Sequence, residues 1–79
     1  MSEWTFNDDR FGPPERVIAA ADGKVARVGD RVWNFYDLRW VTIAEEPDAD
    51  GWFSTTEEDG SRGPVLNGER ITTTEVRPA

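Results

Sequence analysis

Three turn dipeptides punctuate this chain, and each lies between runs that suit a pleated sheet. Asp22-Gly23 separates "RVIAAA" from "KVARV", Asp59-Gly60 separates "WFSTTEE" from "SRGPVL", and Asn67-Gly68 separates "PVL" from "ERITTTEV". Such pairs accept the positive φ angles of a type I′ turn and are the strongest short-range hairpin signal. The intervening runs are rich in Val, Ile, Thr, Trp and Phe, side chains that pack well on a sheet. Strands are therefore expected near 16–21, 24–28, 31–36, 39–45, 51–57, 61–66 and 70–76. Together they predict an all-β domain, a small barrel of about five to seven short antiparallel strands. Pro64 has no amide to give to a ladder, so 61–66 should be an edge or a broken strand. "PPERVIAAA" also carries helix signals, a leading proline and three alanines before Gly23. A strand is preferred for 16–21 because Asp22-Gly23 then closes a hairpin with 24–28.

A chain of 79 residues makes one domain, here assigned to 15–79. It is preceded at 1–14 by an irregular arm that Gly12-Pro13-Pro14 keeps out of any continuous element. Trp4, Phe6 and Phe11 are expected to fasten that arm to the body. With no cysteine for disulfides, stability must come from packing, and the nine aromatic residues are its largest resource. The stretch "VGDRVWNFYDLRW" (28–40) holds four of them. Alternation places Val32, Asn34 and Tyr36 on one face and Trp33 and Phe35 on the other, with Val41 and Ile43 opposed to Trp40 and Thr42. If the purely apolar pairs face inward, Trp33, Phe35, Val41 and Ile43 form the core. Tyr36 and Trp40 are then left on one rim, on either side of an Asp37-Leu38 turn. Trp52 and Phe53 must face oppositely, and alternation alone leaves open which is inside.

Residue content excludes much chemistry. There is no His and no Cys, which removes a His general base, a thiol nucleophile and any His or Cys metal site. "DADGWFSTTEED" opens like a calcium loop, but Gly51 stands at loop position four instead of six. "GSRG" lacks the spacing and lysine of a phosphate loop. Seven carboxylates cluster in loop contexts over 45–59: Glu45, Glu46, Asp48, Asp50, Glu57, Glu58 and Asp59. Nothing there suggests the burial that would raise one of them for acid catalysis. The chain is expected to be non-catalytic, with no cofactor and no metal.

The net charge is −7, and residues 41–79 carry nine acids against three bases. A phosphate backbone would be repelled, so nucleic acid is not expected as a partner despite Arg27, Arg31 and Arg39 near the aromatic residues. No run is long and apolar enough for a membrane span. The acidic start "MSEWTFNDDR" does not read as a signal peptide. A cytoplasmic location is expected, with another protein as partner.

"KVARVGDRVWNFYDLRWVTIAEE" followed by "DGWFSTTEEDGSRGPVLNGERITT" resembles the SH3-like small-barrel class, which includes SH3, KOW and Tudor domains. The resemblance spans residues 24–76. Val28-Gly29-Asp30-Arg31-Val32 matches the class's lead-in to its first long strand. Gly60-Ser61-Arg62-Gly63-Pro64 and Asn67-Gly68 match its exit into the last. Tudor-type barrels imply an aromatic cage beside an acid, for which Tyr36, Trp40, Trp52 and Asp37 supply the residue types. SH3 domains imply an aromatic groove for a proline-rich peptide. The use of eight Arg and one Lys resembles that of a GC-rich actinobacterium or its phage.

Two functions of different class follow. One is a protein-interaction module using Tyr36, Asp37, Trp40 and Trp52. The other is an acidic decoy or DNA mimic, in which the 45–59 carboxylates occupy the basic groove of a nucleic-acid-binding protein. Against both stands a plain structural account, in which the rings close one end of a tiny barrel and the acids keep its surface soluble.

Overall fold

The computed structural model describes residues 16–78, and the N-terminal arm with Trp4, Phe6 and Phe11 lies outside them. The described chain is all-β. Its strands are β1 (Ile18–Ala19), β2 (Val25–Ala26), β3 (Arg31–Asn34), β4 (Arg39–Ile43), β5 (Thr55–Glu57) and β6 (Ile71–Thr72), with one 3-10 turn, Gly68–Arg70, before β6. β1 and β2 form a hairpin, and the other four make an antiparallel sheet in the order β5-β4-β3-β6. The hydrogen-bonded ladder does not run from one sheet into the other, so the barrel is not closed. No helix among the described residues is long and apolar enough to cross a membrane.

Two of the three turn dipeptides turn the chain back as expected, but not as type I′ turns, since only the glycine of each pair has a positive φ and Asp22 and Asp59 do not. Gly23 (φ +83°) turns β1 into β2, and Gly60 (φ +89°) turns β5 back so that Arg62 bridges Thr56. The strand reading of 16–21 holds, though only Ile18–Ala19 pairs. Asn67-Gly68 departs from expectation. It opens the 3-10 turn instead of a hairpin, and Gly68 lies outside the left-handed region. The run 61–66 contributes only the isolated bridges of Arg62 and Leu66, on either side of Pro64.

The register decides the faces. Val32 stands opposite Val41, and Trp33 opposite Trp40. Directly opposed residues project to the same side of a sheet, so Trp33 cannot share a face with Val41 and Ile43. Val32 and Asn34 take the core side with Val41, Ile43 and Ile71. There they meet Ile18, Ala20, Ala26, Phe53 and Leu66. Trp33 is buried, at 1% exposure, but on the opposite side. Trp40 packs edge-on against it at 5.3 Å, and the Trp33 indole N–H donates to the Val76 carbonyl at 2.7 Å. The sheet is thus covered on both faces, by the main core on one and by the C-terminal segment on the other. Phe35, expected inside, is half-buried because β3 ends at Asn34. Phe53 and Thr55 face in, leaving Trp52 and Ser54 half-exposed.

Asp22 links the β1–β2 turn to the far end of the chain. Its carboxylate accepts from the Thr73 hydroxyl at 2.7 Å and the Thr73 amide at 2.9 Å, and from the Lys24 amide at 3.2 Å. The Thr73 bonds are the main cause of a pKa below the ordinary aspartate value. A depressed carboxyl contributes stability above its unfolded value, about 3.9, and loses that contribution as pH falls through the lower folded value. Asp22→Asn should therefore differ most from the parent at neutral pH, and the gap should close as acid protonates Asp22. Urea melts of both proteins at stepped pH check this, and a gap that widened below pH about 4 would contradict it.

Candidate protein-binding surface

β3 stops at Asn34 because that side chain turns to the local backbone. Its Oδ1 accepts from the amides of Tyr36 (3.1 Å) and Asp37 (3.4 Å), while its Nδ2 donates to Asp37 Oδ2 at 3.1 Å. An Asx bond of this kind fixes a tight turn. Asn34 is itself fully buried, so the turn has a rigid base. Leu38 completes it with φ +57°, a conformation uncommon for a branched apolar residue. The turn raises Tyr36 (61% exposed) and Leu38 (40%) into solvent, beside Val76 (47%). With Phe35, Arg77 and Pro78 they line an open groove of about 410 Å³.

Tyr36 also touches a cation. The Arg70 guanidinium lies 4.9 Å from the centre of the Tyr36 ring and 5.4 Å from that of Trp52. Two of the expected site aromatics therefore meet through Arg70. Trp40 belongs elsewhere. It packs against Trp33 with the Arg31 guanidinium 4.5 Å from its centre, and it lines a separate hollow with Arg39 and Glu57. Asp37 is exposed but tied to Asn34.

The acidic segment is largely engaged in local structure. Asp48 Oδ1 accepts from the amides of Asp50 and Trp52 at 2.9 and 3.0 Å. Glu45 accepts from Ser54 at 2.5 Å. Glu58 pairs with Arg31 at 2.9 Å and Glu57 with Arg39 at 3.6 Å. Asp59 accepts from the Ser61 hydroxyl and amide, which hold its carboxyl below the ordinary range. Glu46 and Asp50 are exposed. Among the described residues no three carboxylates converge on a point suited to a metal ion.

No family model, curated protein or solved structure matches the chain. Leu38, Val76 and Arg70 were not among the residues singled out from sequence. An apolar residue beside Asp37 in a turn was a visible sign for Leu38. Val76 and Arg70 are brought to the site by the β3–β6 register, Asn34 opposite Ile71, which no local pattern reveals.

Proposed function

We propose that this protein is a small, non-catalytic interaction module that seats a partner protein in the groove of Phe35, Tyr36, Leu38 and Val76. The observation that carries the reading is three large side chains exposed together, Tyr36 and Leu38 on a turn held from beneath by Asn34 and Val76 on a C-terminal segment held by the Trp33 indole. Tyr is also among the residues that most often dominate interfaces, having large area and few rotatable bonds. A cytoplasmic accessory protein of a GC-rich bacterium or its phage, akin to the SH3-like barrels, fits the arginine usage, the all-β build and the Val28-Gly29-Asp30 lead-in. The acidic-decoy reading has less support, because most carboxylates of 45–59 are occupied by turns and ion pairs.

The test is a paired capture, with the parent and Tyr36→Ala/Leu38→Ser as baits at low salt and at about 1 M salt, where charges are screened beyond roughly 3 Å. A partner retained by the parent at both salts and lost by the double variant supports the groove. A partner lost by the parent at high salt and held equally by the double variant at low salt supports the decoy instead.

A further inference from the structure

Arg70 differs from the paired arginines around it. Arg31, Arg39 and Arg77 each have a carboxylate partner, Glu58, Glu57 and Glu75. The side chain of Arg70 makes no hydrogen bond or ion pair among the described residues. It is held instead against the rings of Tyr36 and Trp52. Stacking of this kind orders a guanidinium without using its five N–H donors, whose fork matches a carboxylate in two parallel bonds. Tyr36 is common to this cation and to the apolar groove, so the two features border one another.

We propose that Arg70 is the charge-reading residue of this surface, and that the partner segment it selects carries a carboxylate next to an apolar side chain. The inference rests on the groove reading above and adds the partner's chemistry. The carboxylates nearest in the chain do not compete: Asp37 is bonded to Asn34 and Glu75 to Arg77, and Glu69 is exposed without a contact to Arg70. The net charge of −7 narrows the partner further. A polyacidic tract would be repelled as a whole, whereas one Asp, Glu or terminal carboxylate among apolar neighbours gains the Arg70 pair at little long-range cost.

The probes are N-acetyl-leucine, as its carboxylate, and N-acetyl-leucinamide, titrated into the ¹⁵N-labelled full chain at neutral pH. The carboxylate should shift the Arg70 Nε–H, the Trp52 indole and the amides of 36–38 and 76–77. It should bind about tenfold more tightly than the amide, the scale of one charge-assisted hydrogen bond. Arg70→Gln should erase that preference while the Trp33 indole signal stays in place, and Arg70→Lys should restore only part of it. If both probes move the groove equally in the parent, the Arg70 assignment is overturned and the groove survives. If neither probe moves 36–38 and 76–77, the groove itself fails and takes the inference with it. If the carboxylate moves Arg70 alone, the pairing of charge with an apolar side chain is wrong.

Discussion

Trp33→Ala is expected to destabilise the protein by about 3–5 kcal/mol, the range for truncating a large buried aromatic residue. The mechanism differs from a simple hole in the main core, since Trp33 is buried on the opposite face of the sheet. Three contacts go with its ring: the edge-on packing of Trp40 at 5.3 Å, the indole bond to the Val76 carbonyl at 2.7 Å, and the Arg77 guanidinium 5.2 Å above it. Loss of the indole leaves that carbonyl unmatched and releases the C-terminal segment from the sheet. One wall of the binding groove, Val76 to Pro78, should loosen as a result. A domain this small has few kcal/mol to spare, so the variant should populate its unfolded state measurably at room temperature. Trp33→Phe keeps one ring but removes the donor and the rest of the indole, and should cost more than the ~1 kcal/mol of the lost hydrogen bond and less than Trp33→Ala. Urea unfolding followed by far-UV circular dichroism compares the three proteins. If Trp33→Ala melted within 1 kcal/mol of the parent, the packing on this second face would be wrong.

What the sequence revealed of this arrangement follows physical range. Turn chemistry is local, so Asp22-Gly23 and Asp59-Gly60 are readable from two residues each. Alternation is also local, and it correctly separated Val32 from Trp33 and Trp52 from Phe53. Which face points to the core is a property of pairing, and apolar content alone was misleading because this sheet is covered on both sides. The register Val32 to Val41 forbids placing Trp33 with Val41, a constraint that follows once the two strands are joined by a turn with an even number of residues, as an Asp37-Leu38 turn has. The site divides the same way. Tyr36 was visible as a ring one residue from an Asp-Leu turn. Arg70 was not, because its nearness to Tyr36 and Trp52 depends on β6 pairing with β3 across more than thirty residues. Asn67-Gly68 failed as a hairpin signal for a tertiary reason: the glycine is needed there for its missing side chain.

That reason makes Gly68→Ala the second large effect. A Cβ on Gly68 would lie 2.1 Å from the Ala19 carbonyl oxygen, 3.1 Å from its carbon and 3.3 Å from Ile18 Cγ2. The obstacle is backbone, and it is firmly placed. Ile18 is buried in the core, the Ala20 amide donates to Lys24 at 2.8 Å, and the Ala21 amide donates to the Ile71 carbonyl at 2.8 Å. Relief therefore requires the 3-10 turn to withdraw from β1, dragging Ile71 away from its place opposite Asn34. Overpacking of this kind costs about 1–3 kcal/mol and more when neighbours cannot yield; the upper end is expected here. Gly23→Ala is the informative comparison. There a Cβ meets nothing within 4 Å, but φ is +83°, so the cost is conformational, about 1–2 kcal/mol. Gly68→Ala should fall below Gly23→Ala in denaturant midpoint. It alone should speed hydrogen exchange at the Ala21 amide, whose acceptor moves with the turn. Equal midpoints with an unchanged Ala21 exchange rate would mean that β1 and the turn stand further apart than this packing requires.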